Sequence, residues 1–121
     1  MALITRTAQD QFDALIDFWL SEKVKQRFGY YRYDLVANLR SAYDDAVTAI
    51  DAQPGMGSIV LPTFPRSRKI NRLGYHWIKR NRYWFAYIVG TDGVPTLTGV
   101  HWDREQVPRN VSTDVDPVGD A

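Results

Sequence analysis

The spacing of hydrophobic and polar residues changes halfway along the chain. In the first half, apolar residues recur three or four positions apart, which is the spacing of one face of an α-helix. In the second half they alternate with polar residues or run together, as in half-buried and fully buried strands. The pattern therefore predicts a short strand, two helices and then a series of strands.

The N-terminal part is expected to contain a strand and the first helix. Residues 2–6 are partly β-branched, which is typical of a short edge strand. Thr7 is the predicted N-cap of a helix that spans about residues 9–25, and Gly29 breaks the pattern. The apolar stripe of this helix consists of Phe12, Leu15, Ile16, Trp19 and Leu20.

The second predicted helix has the clearest pattern in the chain, and it ends by Pro54 and Gly55. Because the break between the two helices is short, we expect them to pack as an antiparallel hairpin. Asp44 and Asp45 lie on the polar side of this helix and are expected to face water. Its apolar stripe consists of Val36, Leu39, Tyr43, Ala46, Val47 and Ile50.

Three strands are predicted in the second half. Residues 73–78 alternate, residues 83–89 are apolar or aromatic throughout, and residues 96–102 follow a turn signal at Thr91-Asp92-Gly93. Residues 79–82 are the expected connection into the central strand. The fold class is thus α+β: an N-terminal strand and a two-helix antiparallel hairpin packed on a small, mainly antiparallel sheet. Residues 1–110 are expected to form one domain, and residues 111–121 a polar flexible tail.

Composition excludes several kinds of chemistry. The chain has 121 residues and no cysteine, which excludes disulfides, thiolate metal ligands and a cysteine nucleophile. The absence of cysteine favours a reducing compartment, so a cytoplasmic protein is expected. No segment is long and apolar enough to cross a membrane, and the first residues lack the features of a signal peptide. The formal net charge is only +1, so the distribution of charge is more informative than its sum.

Residues 66–82 form a basic cluster. They hold seven of the 15 basic residues and no acid, and Tyr75, His76 and Trp77 lie among them. This composition is typical of a contact with single-stranded nucleic acid, and equally of a surface that captures an acidic protein segment. A solvated basic surface without a partner is the third interpretation. The basic residues are Arg66, Arg68, Lys69, Arg72, Lys79, Arg80 and Arg82.

The end of the last predicted strand, residues 101–105, is the second candidate site, because strand ends are held rigidly and still reach solvent. His101 could transfer a proton near neutral pH, and Arg104 could bind a phosphate through two hydrogen bonds. From the residues alone, a partly buried histidine and a solubilising Asp103–Arg104 surface are the favoured interpretation. Two histidines without metal-ligand spacing predict neither a metal site nor a cofactor.

Taken together, these residues resemble the RelE/ParE family of toxins over roughly positions 2–109. Leu3-Ile4-Thr5-Arg6-Thr7-Ala8 is similar to the start of the family. Residues 73–82, 83–89 and 97–105 take the places of the family's basic strand, aromatic strand and closing strand. Arg104-Glu105 followed by Val107-Pro108 resembles the Arg-Asp-x-Pro close of the ParE branch, with one extra residue before the proline.

The resemblance implies the toxin of a type II toxin–antitoxin pair, held inactive in a hetero-oligomer by a cognate antitoxin. ParE-like members inhibit DNA gyrase, whereas RelE-like members cut messenger RNA on the ribosome. No tyrosine follows Tyr87, although RelE-like nucleases often use one near the C-terminus, so the ParE-like activity is favoured. An inactive binding module of the same fold is a further alternative, since Trp102 and Asp103 stand where small or basic residues are common.

The resemblance also assigns roles to residues. If the protein is a nuclease, the implied catalytic residues are Arg104, His101 and Lys79. The residues implied to bind the target or nucleic acid are Arg66, Arg68, Lys69, Arg72, Arg80, Arg82 and Trp77.

Overall fold

A five-stranded mixed sheet lies at the centre of the computed structural model, which describes residues 1–121. The strand order is β2-β3-β4-β1-β5, with β1 parallel to β4 and the other neighbours antiparallel. The strands are β1 (Leu3–Thr5), β2 (His76–Arg80), β3 (Tyr83–Val89), β4 (Pro95–Trp102) and β5 (Pro117–Asp120). The predicted α+β class is confirmed.

Five α-helices accompany the sheet: α1 (Arg6–Trp19), α2 (Glu22–Phe28), α3 (Tyr33–Ala52), α4 (Arg68–Asn71) and α5 (Val107–Asn110). A 3₁₀ turn, Pro54–Met56, follows α3. None of the helices is both long and apolar enough to cross a bilayer.

The predicted first helix is in fact two helices. Thr5, rather than Thr7, caps α1, since its hydroxyl accepts the N–H of Ala8 at 3.1 Å. α1 ends at Trp19, because the Ser21 hydroxyl donates to the Phe18 carbonyl at 2.7 Å and accepts the N–H of Val24 as the cap of α2. Gly29, with a φ of +79°, ends α2.

One face of the sheet is covered by α1 and α3, which contact each other through the rings of Phe12 and Tyr43, 4.6 Å apart. The strands contribute alternate residues to this core, as their period of two requires. The largest buried members from the strands are Ile4, Ile78, Tyr83, Phe85, Tyr87, Leu97 and Val100.

A second core lies on the opposite face of the sheet, for which the sequence pattern predicted no covering segment. Residues 57–75, including α4, and the segment around α5 pack over it. The buried residues of this core are Leu61, Ile70, Tyr75, Trp77, Trp84, Ala86, Val107 and Val111. The prediction that the Tyr83–Val89 strand is buried on both faces is confirmed, since its residues alternate between the two cores.

The C-terminal segment is not a frayed tail, and that prediction is wrong. Val111 is buried in the second core, and β5 pairs antiparallel with β1 through Leu3 and Asp120 and through Ile4 and Gly119. β1 is only three residues long, and it has a hydrogen-bonding neighbour on each side, β4 on one and β5 on the other.

Candidate functional site

The two sequence features that carry the basic residues meet in space. The N–H of Asp103, just after β4, donates to the carbonyl of Arg82 in the β2–β3 turn at 2.8 Å. The Asp103 carboxylate also lies 3.3 Å from Nζ of Lys79. The turn and the strand end are therefore fixed to one another, with Arg82 and Arg104 both exposed beside the junction.

The β2–β3 connection is shorter than predicted. β2 continues to Arg80, and Asn81 and Arg82 alone form the turn. Asn81 has a φ of +56°, in the left-handed region that asparagine tolerates better than most residues.

His101 does not lie at the surface: the histidine is buried, as the residues alone favour, and the alternative of an accessible proton-transfer group is wrong. Its side chain is fully buried, at 0% exposure, on the face of the second core, with its ring 5.8 Å from that of Trp77. Nδ1 lies 3.3 Å from Oε2 of Glu105, and Nε2 is buried without a partner. A group that moves a substrate proton must reach that proton, and this imidazole reaches only Glu105.

Glu105 holds the end of β4 in place. Its Oε1 accepts the N–H of Trp102 at 2.6 Å, and its Oε2 accepts a hydrogen bond from the Asn110 side chain in α5. Burial of the carboxyl group raises its pKa, but the hydrogen bonds from His101, Asn110 and the Trp102 N–H lower it more. The pKa of Glu105 therefore lies below its usual value of 4.5, and the side chain is an ionised acceptor at neutral pH.

The basic cluster divides into two groups, so it is not a single hairpin. Lys79, Arg80 and Arg82 belong to β2 and its turn. The second group lies on the segment with α4 that covers the second core, where buried Ile70 anchors the helix. The exposed basic residues of this group, none of which forms an ion pair, are Arg66, Arg68, Lys69 and Arg72.

Trp77 is buried at 1% exposure in the second core. Its predicted role as an exposed stacking surface is therefore wrong. Trp102, by contrast, is partly exposed at the end of β4.

A groove of about 360 Å³ lies where the end of α1, α2 and the start of α3 face the β2–β3 turn and the end of β4. We call it the arginine–aromatic groove. Its arginines come from three separate parts of the chain and are Arg27, Arg32, Arg82 and Arg104.

The charge of the groove is strongly positive. Its only acid, Asp34, is held by Arg32 through two hydrogen bonds of 2.9 Å, and this contact lowers the pKa of the Asp34 carboxyl group. No carboxylate lies within 4.0 Å of Arg27, Arg82 or Arg104. Three guanidinium groups are thus available to an anion.

Aromatic rings form one side of the groove. The Trp19 and Trp102 rings meet edge to face at 5.3 Å, and Phe18 lies 4.9 Å from Trp19 and 6.1 Å from Trp102. Nε1 of Trp19 donates to the Tyr83 hydroxyl at 2.9 Å, which fixes the indole against β3. Burial raises the pKa of Tyr83, so its hydroxyl remains protonated well above neutral pH. The Arg104 guanidinium lies 6.0 Å from the Trp102 ring.

The contributions of α2 and α3 to this groove were missed from the sequence. The signal was present, because residues 23–33 contain basic and aromatic residues and no acid, as residues 66–82 do. The basic residues there are Lys23, Lys25, Arg27 and Arg32, and the aromatic ones Phe28, Tyr30, Tyr31 and Tyr33.

No three His, Asp or Glu side chains come close enough together to hold a metal ion. No protein-family model matches the chain, and neither a curated protein nor a solved structure matches it at a significant level. The function therefore has to be inferred from the geometry of the site and from the resemblance in the sequence.

Proposed function

We propose that this chain is a ParE-like toxin of a type II toxin–antitoxin pair, which inhibits DNA gyrase by binding and is neutralised by a cognate antitoxin. The order of its elements supports this proposal, since a strand, helices and three consecutive strands follow one another as the resemblance requires. In this proposal, α1 and α3 correspond to the two helices of the hairpin, and α2 is an addition between them.

The observation that carries the choice of a non-enzymatic inhibitor is the burial of His101. The residues implied for a nuclease do not form an open catalytic set: His101 faces Glu105 inside the protein, and Lys79 pairs with Asp103. Of the three, Arg104 alone is exposed and without a carboxylate partner. One exposed arginine suits binding better than general acid–base chemistry, which needs a positioned group that accepts and returns a proton.

An exposed aromatic patch supports a protein partner. Tyr30 and Tyr33 are 59% and 66% exposed, and the Arg32 guanidinium lies over the rings of both Tyr30 and the exposed Phe28. Aromatic residues are enriched in protein interfaces, and exposed apolar patches of this kind mark binding surfaces. The patch surrounds the start of α3, where a target or an antitoxin can reach it.

A supercoiling assay tests the proposed function. Purified protein should block supercoiling by gyrase in a dose-dependent manner, while relaxation by topoisomerase I, the specificity control, continues. Messenger RNA in a translating extract should stay intact. Normal supercoiling at a large molar excess of the protein would overturn the proposal.

The antitoxin part is tested separately. We expect the neighbouring gene to encode a small protein with an acidic tail that co-purifies with this chain and restores growth when both are expressed. Harmless expression of this chain alone, without the neighbour, would instead support an inactive binding module.

An mRNA endonuclease of the RelE-like kind is the second candidate. The hydrogen bond between the Asp103 N–H and the Arg82 carbonyl favours it, because it brings the basic turn next to Arg104 at the strand end. In this mechanism the clustered cations stabilise the phosphate. If Arg104→Ala and His101→Ala variants that remain folded are both still toxic, the nuclease mechanism is wrong.

A further inference from the structure

The arginine–aromatic groove has the chemistry of a small-molecule site that gyrase inhibition does not require. We propose that it binds a nucleotide, either free or at the end of a single strand. The phosphate lies against Arg82 and Arg104, and the base lies against the aromatic side of the groove. Such a site would bind its ligand in the absence of gyrase, so it goes beyond the proposed inhibition of gyrase.

The phosphate end of the site lies where two segments of the chain are fixed to each other. The 2.8 Å hydrogen bond from the Asp103 N–H to the Arg82 carbonyl holds the two chain segments together, and Arg104 directly follows Asp103. Arg82 and Arg104 both line the same groove, and neither guanidinium has a carboxylate partner. Planar guanidinium groups bind phosphate oxygens through paired hydrogen bonds, and Arg27 adds a third positive charge.

The base end of the site offers ring faces and amide groups. Phe18 and Phe28 line the groove and are 39% and 40% exposed, with the Arg32 guanidinium 4.6 Å from the centroid of the Phe28 ring. Aromatic faces stack on any base. Asn38 and Asn81 also line the groove, and an asparagine side chain carries both a donor and an acceptor for the edge of a base.

The size of the groove favours a nucleotide over an acidic peptide. Its volume of about 360 Å³ lies near the lower end of the roughly 300–1,000 Å³ of small-molecule pockets. A partner helix or strand needs a longer surface of the standard interface size. A carboxylate of this chain, Asp34, already occupies Arg32, and the remaining arginines surround a compact space beside flat rings.

Isothermal titration calorimetry on the full chain tests the proposal. The ligands are adenosine monophosphate, a trinucleotide with a 5′-phosphate, the same trinucleotide without it, and inorganic phosphate. We expect the first two to bind more tightly than either the unphosphorylated strand or phosphate alone, and the affinity to fall with salt. A preference for the trinucleotide identifies a strand end as the ligand, and a preference for the monophosphate identifies a free nucleotide.

Matched variants locate the site. Arg82→Ala and Arg104→Ala should each weaken binding by about tenfold or more, the usual effect of losing a charged hydrogen bond. Arg104→Lys should weaken nucleotide binding too, because lysine keeps the charge but lacks the planar, paired N–H donors of a guanidinium group. The control is Arg40→Ala, which removes the same charge from an exposed position of α3 outside the groove and should leave the affinity unchanged. Circular dichroism checks that each variant is folded.

Three results would overturn the inference: no nucleotide binding at millimolar concentration, equal losses in Arg40→Ala and the groove variants, or binding of a short acidic peptide that no nucleotide displaces. Since the titration contains no gyrase, its failure is distinct from a failure to inhibit supercoiling.

Discussion

The side chain of Gln11 accepts a hydrogen bond from the backbone N–H of Val100 at 2.9 Å. β1 pairs with β4 only at Thr96 and Leu97, so beyond these residues that edge of β4 has no strand beside it. The Gln11 amide takes the place of the missing strand, and it also donates to the Asn110 carbonyl at 3.0 Å. One side chain of α1 thus joins the end of β4 to α5.

Gln11→Ala should destabilise the fold by about 1–2 kcal/mol, because it leaves the half-buried Val100 N–H without a partner. Urea denaturation measures the change. Gln9→Ala is the control, since Gln9 is exposed on the same helix and its loss should stay within about 0.5 kcal/mol. Equal effects of the two substitutions would contradict a bridging role for Gln11.

Glu105→Gln should lower stability at neutral pH and remove part of its pH dependence. The pKa of Glu105 is lowered in the folded protein, so its carboxylate contributes stability above its usual pKa of 4.5. This contribution is lost as the pH falls through the lowered pKa. The free energy of unfolding of both proteins should be measured from about pH 6 down to about pH 3, and the difference between them should shrink towards the acid end. A difference that stays constant over that range would argue against an ionised Glu105 in the fold.

Gly99→Ala should destabilise the protein by roughly 1–3 kcal/mol, as overpacking of a core does. A Cβ atom at position 99 would lie 2.6 Å from Nε2 of His101, whose fully buried ring has little space to move. Gly55→Ala is the control, because a Cβ there meets nothing within 4 Å. Thermal unfolding compares the two variants. If the unfolding temperature of Gly99→Ala equals that of the original protein, the ring of His101 is not confined.

Removal of residues 111–121 should destabilise the fold by about 2 kcal/mol or more, the contribution of a buried valine together with that of a lost strand. The truncation takes Val111 out of the second core and β5 away from β1. Val118→Thr, at an exposed position of β5, should have little effect. If the truncated chain unfolds at the same urea concentration as the full chain, the C-terminal segment contributes nothing.

The sequence predicted those elements whose signals are local. The stripe from Val36 to Ile50 predicted α3, and the uninterrupted apolar run predicted β3 with burial on both faces. The strand ending at Trp102 was predicted as well, and the turn signal before it lies between β3 and β4. Spacing along a single element depends on residues a few positions apart, and a window of sequence contains all of that information.

The sequence also pointed to two of the four arginines of the groove, but not to the contacts that bring the arginines together. Arg82 and Arg104 were singled out separately, and only the contact between Asp103 and Arg82 places them beside one groove. Arg27 and Arg32 lie beyond the predicted first helix, which ends near residue 25, and no local pattern places them beside Arg82. α1 ends at Trp19 and Ser21 caps α2, so α2 is a separate helix, and its residues line one side of the groove.

The sequence by itself determined the fold class, the main strands, α3 and the presence of acid-free basic segments. The tertiary structure decided that His101 and Trp77 are buried, that the second face of the sheet has a core of its own, and that the last residues form β5. The physical reason is that burial and strand pairing depend on partners far apart in the chain, such as Leu3 and Asp120. A local pattern gives the shape of each element, while such long-range contacts decide which side chains reach solvent.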